Sequence, residues 1–462
     1  MKKRANVMVT ASSIVLVGGL AVGCGGATST QANPSSPSST GQSGSPSSSA
    51  NTVNVVLEGN FQEKNTLNPV TGQTIQGLNV LQNEFTKMYP GDHVNFIVIP
   101  WTNYIAKLQT MITGGQADVY QAAGPEDQWA AQGLLVNLAP YIKKTNFNLN
   151  QYLSGQVNGW KAVGAGDSSP QIYGIPEAGD TDLIMYDKTL FDQWHVPYPS
   201  AHPTMSEIMA DAKKMTGKNP VTGKQNYGVW FDAGGNSHDP MLLADLAEAQ
   251  NGTWGTGNAP KNMKLNFDST QWVNGLTWLK QLSQYAPKGI ESSQGAENWL
   301  TPNNDVAIEL FQGPSNIVNQ ADAAGWENRL GITQVFKDSK GIGGAFFGSP
   351  FVIGKSSKNK DLAWDFIQFS ASDFYQDYMF KNYGVPPVTT SAWNLPDLKN
   401  NKLMQPVKEA LSTMWTPVYP WETQPRFILA TEIQGVLTNK ETPQQALTAA
   451  EQKSNQWIAQ QK

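Results

Sequence analysis

Between Val53 and Gln121 the apolar residues switch repeatedly between strand and helix spacing, and this alternation limits the possible folds more than any other feature of the chain. Val53 to Leu57 reads as a buried strand that leads into the polar loop Glu58-Gly59-Asn60. Leu78, Leu81, Phe85 and Met88 then recur at helical spacing until Pro90-Gly91 closes the run. Val94 to Ile99 is a second strand. Tyr104, Leu108 and Ile112 mark one face of a second helix ending at Gly114-Gly115, and "ADVYQ" is a short third strand. Strands joined through helices in this way lie parallel, so the rhythm predicts a doubly wound α/β lobe. In that architecture ligands collect at the loops after the carboxyl ends of the strands. Here those loops are Glu58-Gly59-Asn60-Phe61, Pro100-Trp101-Thr102-Asn103 and the run from Gln121 to Glu126.

The first 51 residues follow other rules. Met1-Lys2-Lys3-Arg4, an apolar run from Val7 to Val22 and small residues before Cys24 are the parts of a secretory signal peptide over 1–23. The run is short and interrupted by Thr10, Ser12 and Ser13, whereas a membrane span needs about 20 apolar residues. Cys24 is the only cysteine, so no intramolecular disulfide forms; a chain of this length buries a core without one. Leu20-Ala21-Val22-Gly23-Cys24 resembles the bacterial lipobox, with Ala21 where that motif prefers leucine. The resemblance implies lipidation of Cys24, which becomes the mature N-terminus. The remainder of 24–51 is rich in Ser, Pro, Gly, Thr, Gln and Asn and holds too little apolar surface to fold. It reads as a tether with a root-mean-square span of roughly 30 Å. Leader, anchor and tether together fit the extracellular face of a Gram-positive cell membrane.

Removing the cations Lys2, Lys3 and Arg4 with the leader takes the net charge from −5 to −8. No basic stripe appears, which excludes nucleic acid as a partner. Charged residues make up 15%, whereas Trp (15) and Tyr (14) are plentiful alongside Asn, Gln and Gly. Flat rings and neutral hydrogen-bonding groups suit an uncharged polyhydroxylated ligand. His93, His195, His202 and His238 lie far apart with no cysteine among them, so the chain calls for no metal and no cofactor. There is no Gly-x-Ser-x-Gly elbow, and the interior of "GSPFVIGKSS" reads as a buried strand, not a phosphate loop. Near the C-terminus, Thr442-Pro443-Gln444-Gln445 is a helix start, followed by a stripe of Ala446, Leu447, Ala450, Trp457 and Ile458.

Several stretches in order then resemble one family, the extracellular solute-binding proteins of ABC importers, whose sugar-binding members include maltose-binding proteins. "LQNEFTKMYPGDHVNFIVIPWTNYIAKLQTMITGGQADVYQ", with Asp118 opening its last strand, is similar to the family's first half-lobe. "GLLVNLAPYIKK", "QIYGIPEAGDTDLIMYDKTLF" with Asp187 in place of the family's Asn, "GSPFVIGKSSKNKDLAWDFIQFSAS", "YGVPPVTTSAW" and "EIQGVLTNKETPQQALTAA" continue the series. The resemblance implies a two-lobed type II periplasmic-binding-protein fold, each lobe a doubly wound sheet flanked by helices. It also implies a hinge that the chain crosses three times, near Gly174-Pro176, Phe347-Pro350 and Gly384-Pro387. Lobe one is then 52–174 plus 350–384, and lobe two 176–347 plus 387–462. It implies no catalysis. The function implied is capture of a neutral carbohydrate by a monomer that hands it to the transmembrane subunits of an ABC permease.

The ligand would lie between the lobes. Loop positions in lobe one nominate Glu58, Asn60, Trp101, Tyr104, Gln121 and Glu126. Asp180 aligns with a carboxylate that binds sugar hydroxyls in the family, beside Glu177. "VWFDAGGNSHDPM" offers Asn236, with Asp232, His238 and Asp239 around it, and "VYPWETQ" places Tyr419 and Trp421 where sugar-binding members carry a stacking ring. Gly313-Pro314-Ser315-Asn316 lacks the family's tryptophan there, which points to a ligand smaller than maltose or differently stacked. Two other readings of the residues stand beside this one: the same fold binding a peptide, polyol or other small solute, and a surface-anchored carbohydrate hydrolase using a carboxylate pair such as Asp180 and Glu126.

Overall fold

The computed structural model describes residues 51–68, 72–100, 104–122, 126–234, 239–257, 262–314, 321, 324–344, 348–415 and 424–460. The leader, Cys24 and nearly all of the tether lie outside them. Along the chain, the strands of the two principal sheets are β1 (Thr52–Glu58), β2 (His93–Ile99), β3 (Val119–Gln121), β4 (Gly174–Ala178), β5 (Leu183–Asp187), β6 (Trp230–Phe231), β7 (Ile308–Gln312), β8 (Leu330–Thr333) and β9 (Ser349–Ile353). The first sheet runs β2-β1-β3-β9-β4 and the second β6-β7-β5-β8.

The start of the first sheet is the parallel unit expected from the apolar rhythm. β1 pairs with β2 from Thr52↔His93 to Glu58↔Ile99, and with β3 through Val55↔Val119. Val53, Val55 and Leu57 point into a core with Leu81, Phe85 and Phe366, while Val56 points to the other face with Leu108, Ile112 and Tyr120. β1 is therefore covered on both faces, which is why its sequence is a run of valines and leucine rather than a strict alternation. Helix Asn79–Met88 supplies Leu81 and Phe85, and helix Tyr104–Thr113 supplies Leu108, Met111 and Ile112. Met88, expected on the buried stripe, is exposed at the last position of its helix. Asp118 opens β3 by accepting the Asn54 N–H (2.9 Å) and the Ser357 hydroxyl (2.6 Å), which joins three distant segments.

β9 enters the first sheet from the far end of the chain and runs antiparallel to both β3 and β4. The second sheet is mixed. β5 arrives from the first sheet and runs against both β7 and β8, while β6 is parallel to β7. One face of this sheet packs Ile184, Ile308 and Leu310 against helices Asp239–Glu248, Thr270–Leu282, Gln424–Leu437 and Pro443–Ala459. The other face packs Met185 and Ile332 against Trp326 and helix Met404–Thr413. The helix start read at Thr442 is present as a capping box: Thr442 Oγ1 accepts the Gln445 N–H and Gln445 Oε1 accepts the Thr442 N–H. Ala446, Leu447, Ala450 and Ile458 are buried as expected, while Trp457 is half-buried at the margin and Ser454 completes the stripe.

The chain passes between the sheets after Ala178, returns between Thr333 and Ser349, and leaves helix Asp373–Tyr383 at Gly384 toward helix Met404–Thr413. Gly384 caps its helix at φ 66°, a left-handed conformation that glycine adopts without a Cβ penalty. Among the described residues no helix is long and apolar enough to cross a membrane.

Candidate ligand site

Strand directions bring the ligand-type edges of both sheets to the same place. β9 is antiparallel to β3 and to β4, so β1, β3 and β4 all end on one edge, at Glu58, Gln121 and Ala178, beside the start of β9. In the second sheet β6, β7 and β8 end at Phe231, Gln312 and Thr333, beside the start of β5. Residues 179–182 and 334–348 join these two edges. The crossings also touch each other: the Gly179 N–H donates to the Pro386 carbonyl (3.1 Å), and a Cβ on Gly348 would lie 2.9 Å from the Ala178 carbonyl oxygen.

Inside the first edge lies a buried polar chain. The Glu58 N–H donates to Gln121 Oε1 (2.8 Å), and Gln121 Nε2 donates to Glu177 Oε2 (2.7 Å). The Tyr375 hydroxyl donates to Glu177 Oε1 (2.8 Å), and Gln376 Nε2 donates to the Glu177 carbonyl (3.1 Å). Gln376 Oε1 accepts the Val388 N–H (2.8 Å). Burial pushes the Glu177 carboxyl up to about 7, against the opposing effect of the two donors, Tyr375 and Gln121. Burying a carboxylate is costly, and two charge-assisted hydrogen bonds are what keep this one near its ionised form.

The nominated residues separate by burial. Glu58, Gln121 and Glu126 are 1%, 4% and 2% exposed, and the amide of Gln121 is used at both ends by the chain just described. Asn60 is exposed beyond β1, and Tyr104 is half-buried at the first position of its helix. Asp180 is half-buried on the first crossing, where its Oδ1 accepts the Thr181 N–H (3.0 Å). The backbone at Gly313, just past β7, comes so close that a Cβ there would lie 2.9 Å from Asp180 Oδ1. A β-bulge delivers this segment: pairing with β5 shifts between Leu310 and Gln312, and Phe311 sits at φ 59°. Asp232, after β6, accepts the Ser293 hydroxyl. Trp101, Asn236, Tyr419 and Trp421 lie outside the described residues. Tyr375 and Gln376 were not visible from loop positions, because both sit on a helix. The available signal was Glu177 itself, a carboxylate in the strand "GIPEA".

The family model for bacterial extracellular solute-binding proteins matches residues 71–377. A curated binding protein of Brucella abortus is 22% identical over 395 residues, which covers 81% of this chain and 88% of the relative. Among solved structures, the sugar-binding protein MalE from Xanthomonas citri matches with a TM-score of 0.71 at 20% identity, over 88% of this chain and 98% of its own. An ABC transporter solute-binding protein from Thermotoga lettingae bound with α-D-tagatose matches with a TM-score of 0.69 at 22% identity, over 88% and 99%. Both have the two-lobed type II periplasmic-binding-protein fold that the resemblance implied. With the greater part of its length inside the family model and its two sheets arranged as in these neighbours, the chain belongs to the bacterial extracellular solute-binding protein family.

Proposed function

We propose that the protein captures a neutral carbohydrate, a sugar or polyol, between the facing edges of its two sheets and delivers it to an ABC permease without chemical change. The observation that carries this reading is the convergence of the strand ends of both sheets on shared crossings, with the Asp180 carboxylate held there by Thr181 and flanked by bare backbone at Gly313. A half-buried carboxylate is an acceptor group of the kind that ligand hydroxyls require, and a glycine beside it leaves them room to approach. The sugar-binding and tagatose-bound neighbours support the ligand class. Asn60, Tyr104 and Asp180 are the described candidates for contact. Trp101, Asn236, Tyr419 and Trp421 are proposed with them from sequence position, and Glu58, Gln121 and Glu126 serve from beneath. We place lobe one at the first sheet with its helices and lobe two at the second. The first crossing then falls at residues 179–182 rather than at Gly174-Pro176, because Gly174–Ala178 is a strand of the first sheet. The lobes close on the ligand, which shifts an open–closed equilibrium by its differential affinity. Cys24 carries the lipid that holds this monomer on the extracellular face of a Gram-positive membrane.

A thermal-shift screen of the chain carrying Cys24→Ser tests this against maltose, D-tagatose and D-mannitol, with glycine and a tripeptide as controls. A ligand at 100 times its dissociation constant adds about 2.7 kcal/mol to the folded state. A rise in midpoint with a sugar or polyol is expected; a rise with the peptide alone would replace the ligand class and keep the fold.

A further inference from the structure

The buried chain at the edge of the first sheet reaches further than a local brace. It begins at the main-chain N–H of Glu58, the residue that leads into the exposed Asn60. It passes through Gln121 on β3 and the Glu177 carboxylate on β4 to Tyr375 on helix Asp373–Tyr383. The next residue of that helix, Gln376, then grips two crossings with one side chain. Its Nε2 donates to the Glu177 carbonyl, two residues before the first crossing, and to the Ser370 carbonyl (3.0 Å). Its Oε1 accepts the N–H of Val388, at the end of the third crossing. The Gly179 N–H on the Pro386 carbonyl closes the loop between the same two crossings. Gln121, Glu177, Tyr375 and Gln376 are all nearly or fully buried, so none of these bonds is exchanged for water without opening the structure. Every Gln376 amide position that is used is matched to a main-chain group, and the two donors on the Glu177 carboxylate take one oxygen each and come from different elements, one from β3 and one from the helix.

We infer that Gln121, Glu177, Tyr375 and Gln376 form one positioning unit that couples the ligand-facing end of β1 to the first and third crossings. A displacement of the Glu58–Asn60 loop is carried through hydrogen bonds that have no slack into the backbone on which the lobes turn. Bending is thereby confined to residues beyond the unit, from Gly179 onward, and residues 174–178 and 385–388 travel with the first sheet. For ligand binding, this assignment rests on the solute-binding reading above; the coupling itself does not.

Amide hydrogen exchange on the full chain tests it without any ligand, so its failure is distinct from failure of the carbohydrate reading. Gln121→Met keeps the volume of the side chain and removes both of its hydrogen bonds. Exchange of the Glu58 amide is expected to rise because its acceptor is gone. The coupling predicts that the remote amides of Gly179 and Val388, which Gln121 does not touch, also rise by about tenfold, the loss of roughly one hydrogen bond's protection. The amides of β5 and β8 in the second sheet serve as the reference and are expected to hold their wild-type rates. Tyr375→Phe removes one hydroxyl and leaves the ring packed, so it decides the matter if the first variant does not fold; it is expected to speed exchange at Glu58, three hydrogen bonds away. Acceleration at Glu58 alone in Gln121→Met, or no change at Glu58 in Tyr375→Phe, would overturn the proposal, as would a uniform rise that includes β5 and β8.

Discussion

Two buried carboxyls set a pH dependence that belongs to single residues. Glu177 is pushed up to about 7 and Glu309, on β7, to about 8, in both cases chiefly by burial. An acid with a raised folded-state pKa favours the protonated form, so its penalty is absent below the unfolded value of 4.5 and fully present above the folded one. Stability is therefore expected to fall as pH climbs from 4.5 to 8. Glu309→Gln cannot ionise, keeps the shape, and should remove roughly 3–5 kcal/mol of that fall, measured as urea unfolding at pH 5 and pH 8. An unchanged pH slope would show that Glu309 is not the titrating group. Asp187 is the second residue-scale case, and it explains a departure from the family pattern. It caps helix Lys188–Trp194 through the Thr189 N–H and also takes a two-pronged ion pair from Arg329, whose guanidinium lies 3.9 Å over the Trp326 ring. The family's Asn would serve the cap but leave Arg329 without its counter-charge. Asp187→Asn is expected to cost about 3 kcal/mol in denaturant unfolding, because removing the buried carboxylate strands the partly buried charge of Arg329. A loss below the size of one ordinary hydrogen bond would mean that the cap, not the ion pair, is what Asp187 supplies.

At the scale of elements, local chemistry and long-range packing divide the work. Helix Pro443–Ala459 has its own start signal in Thr442 and Gln445, and its apolar stripe packs the second sheet's core whatever happens in the first. Thr442→Ala removes the side-chain acceptor for the Gln445 N–H and is expected to destabilise the protein by about 1 kcal/mol in denaturant unfolding. A wild-type midpoint would show that the first turn is held by packing alone. Strand β7 is the opposite case. Its bulge at Phe311 places an aromatic residue at positive φ, which costs energy in isolation, and the ring is held by the core beside Phe336. What the distortion delivers is the approach of Gly313 to Asp180. β9 likewise has a plain strand sequence, yet its place between β3 and β4 is set by two antiparallel registers with partners far away in the chain.

At the scale of the whole molecule, the fold brings the strand ends of two sheets to one set of crossings and ties those crossings together through Gly179, Pro386 and Gln376. For the proposed delivery to a permease, a body built this way needs only to be held near the membrane. The sequence before residue 52 reads as the means of doing so. Cys24→Ser is therefore expected to release folded protein into the culture medium, scored by immunoblot of medium and membrane fractions. Persistence of the variant in the membrane pellet would remove lipid anchoring from the proposal.

Hydrophobic spacing by itself determined β1, β2, β3 and the first two helices, and the Thr442 motif determined the last helix, because those signals depend on neighbours a few residues away. Ordered short resemblances along the chain determined the family and with it the two-lobed fold. Tertiary structure alone decided which of the loop residues face inward. Glu58, Gln121 and Glu126 have the letters of ligand contacts, and Asn60 and Asp180 have the same kind of letters, but the first three are buried, whereas Asn60 is exposed and Asp180 half-buried. The cover over Gln121 comes from Glu177, 56 residues later, and the cover over Glu177 from Tyr375, 198 residues later still. A side chain at a strand end points into water or into protein according to what packs across it. When that cover comes from a part of the chain this remote, no local pattern carries it, and only the folded sheet decides.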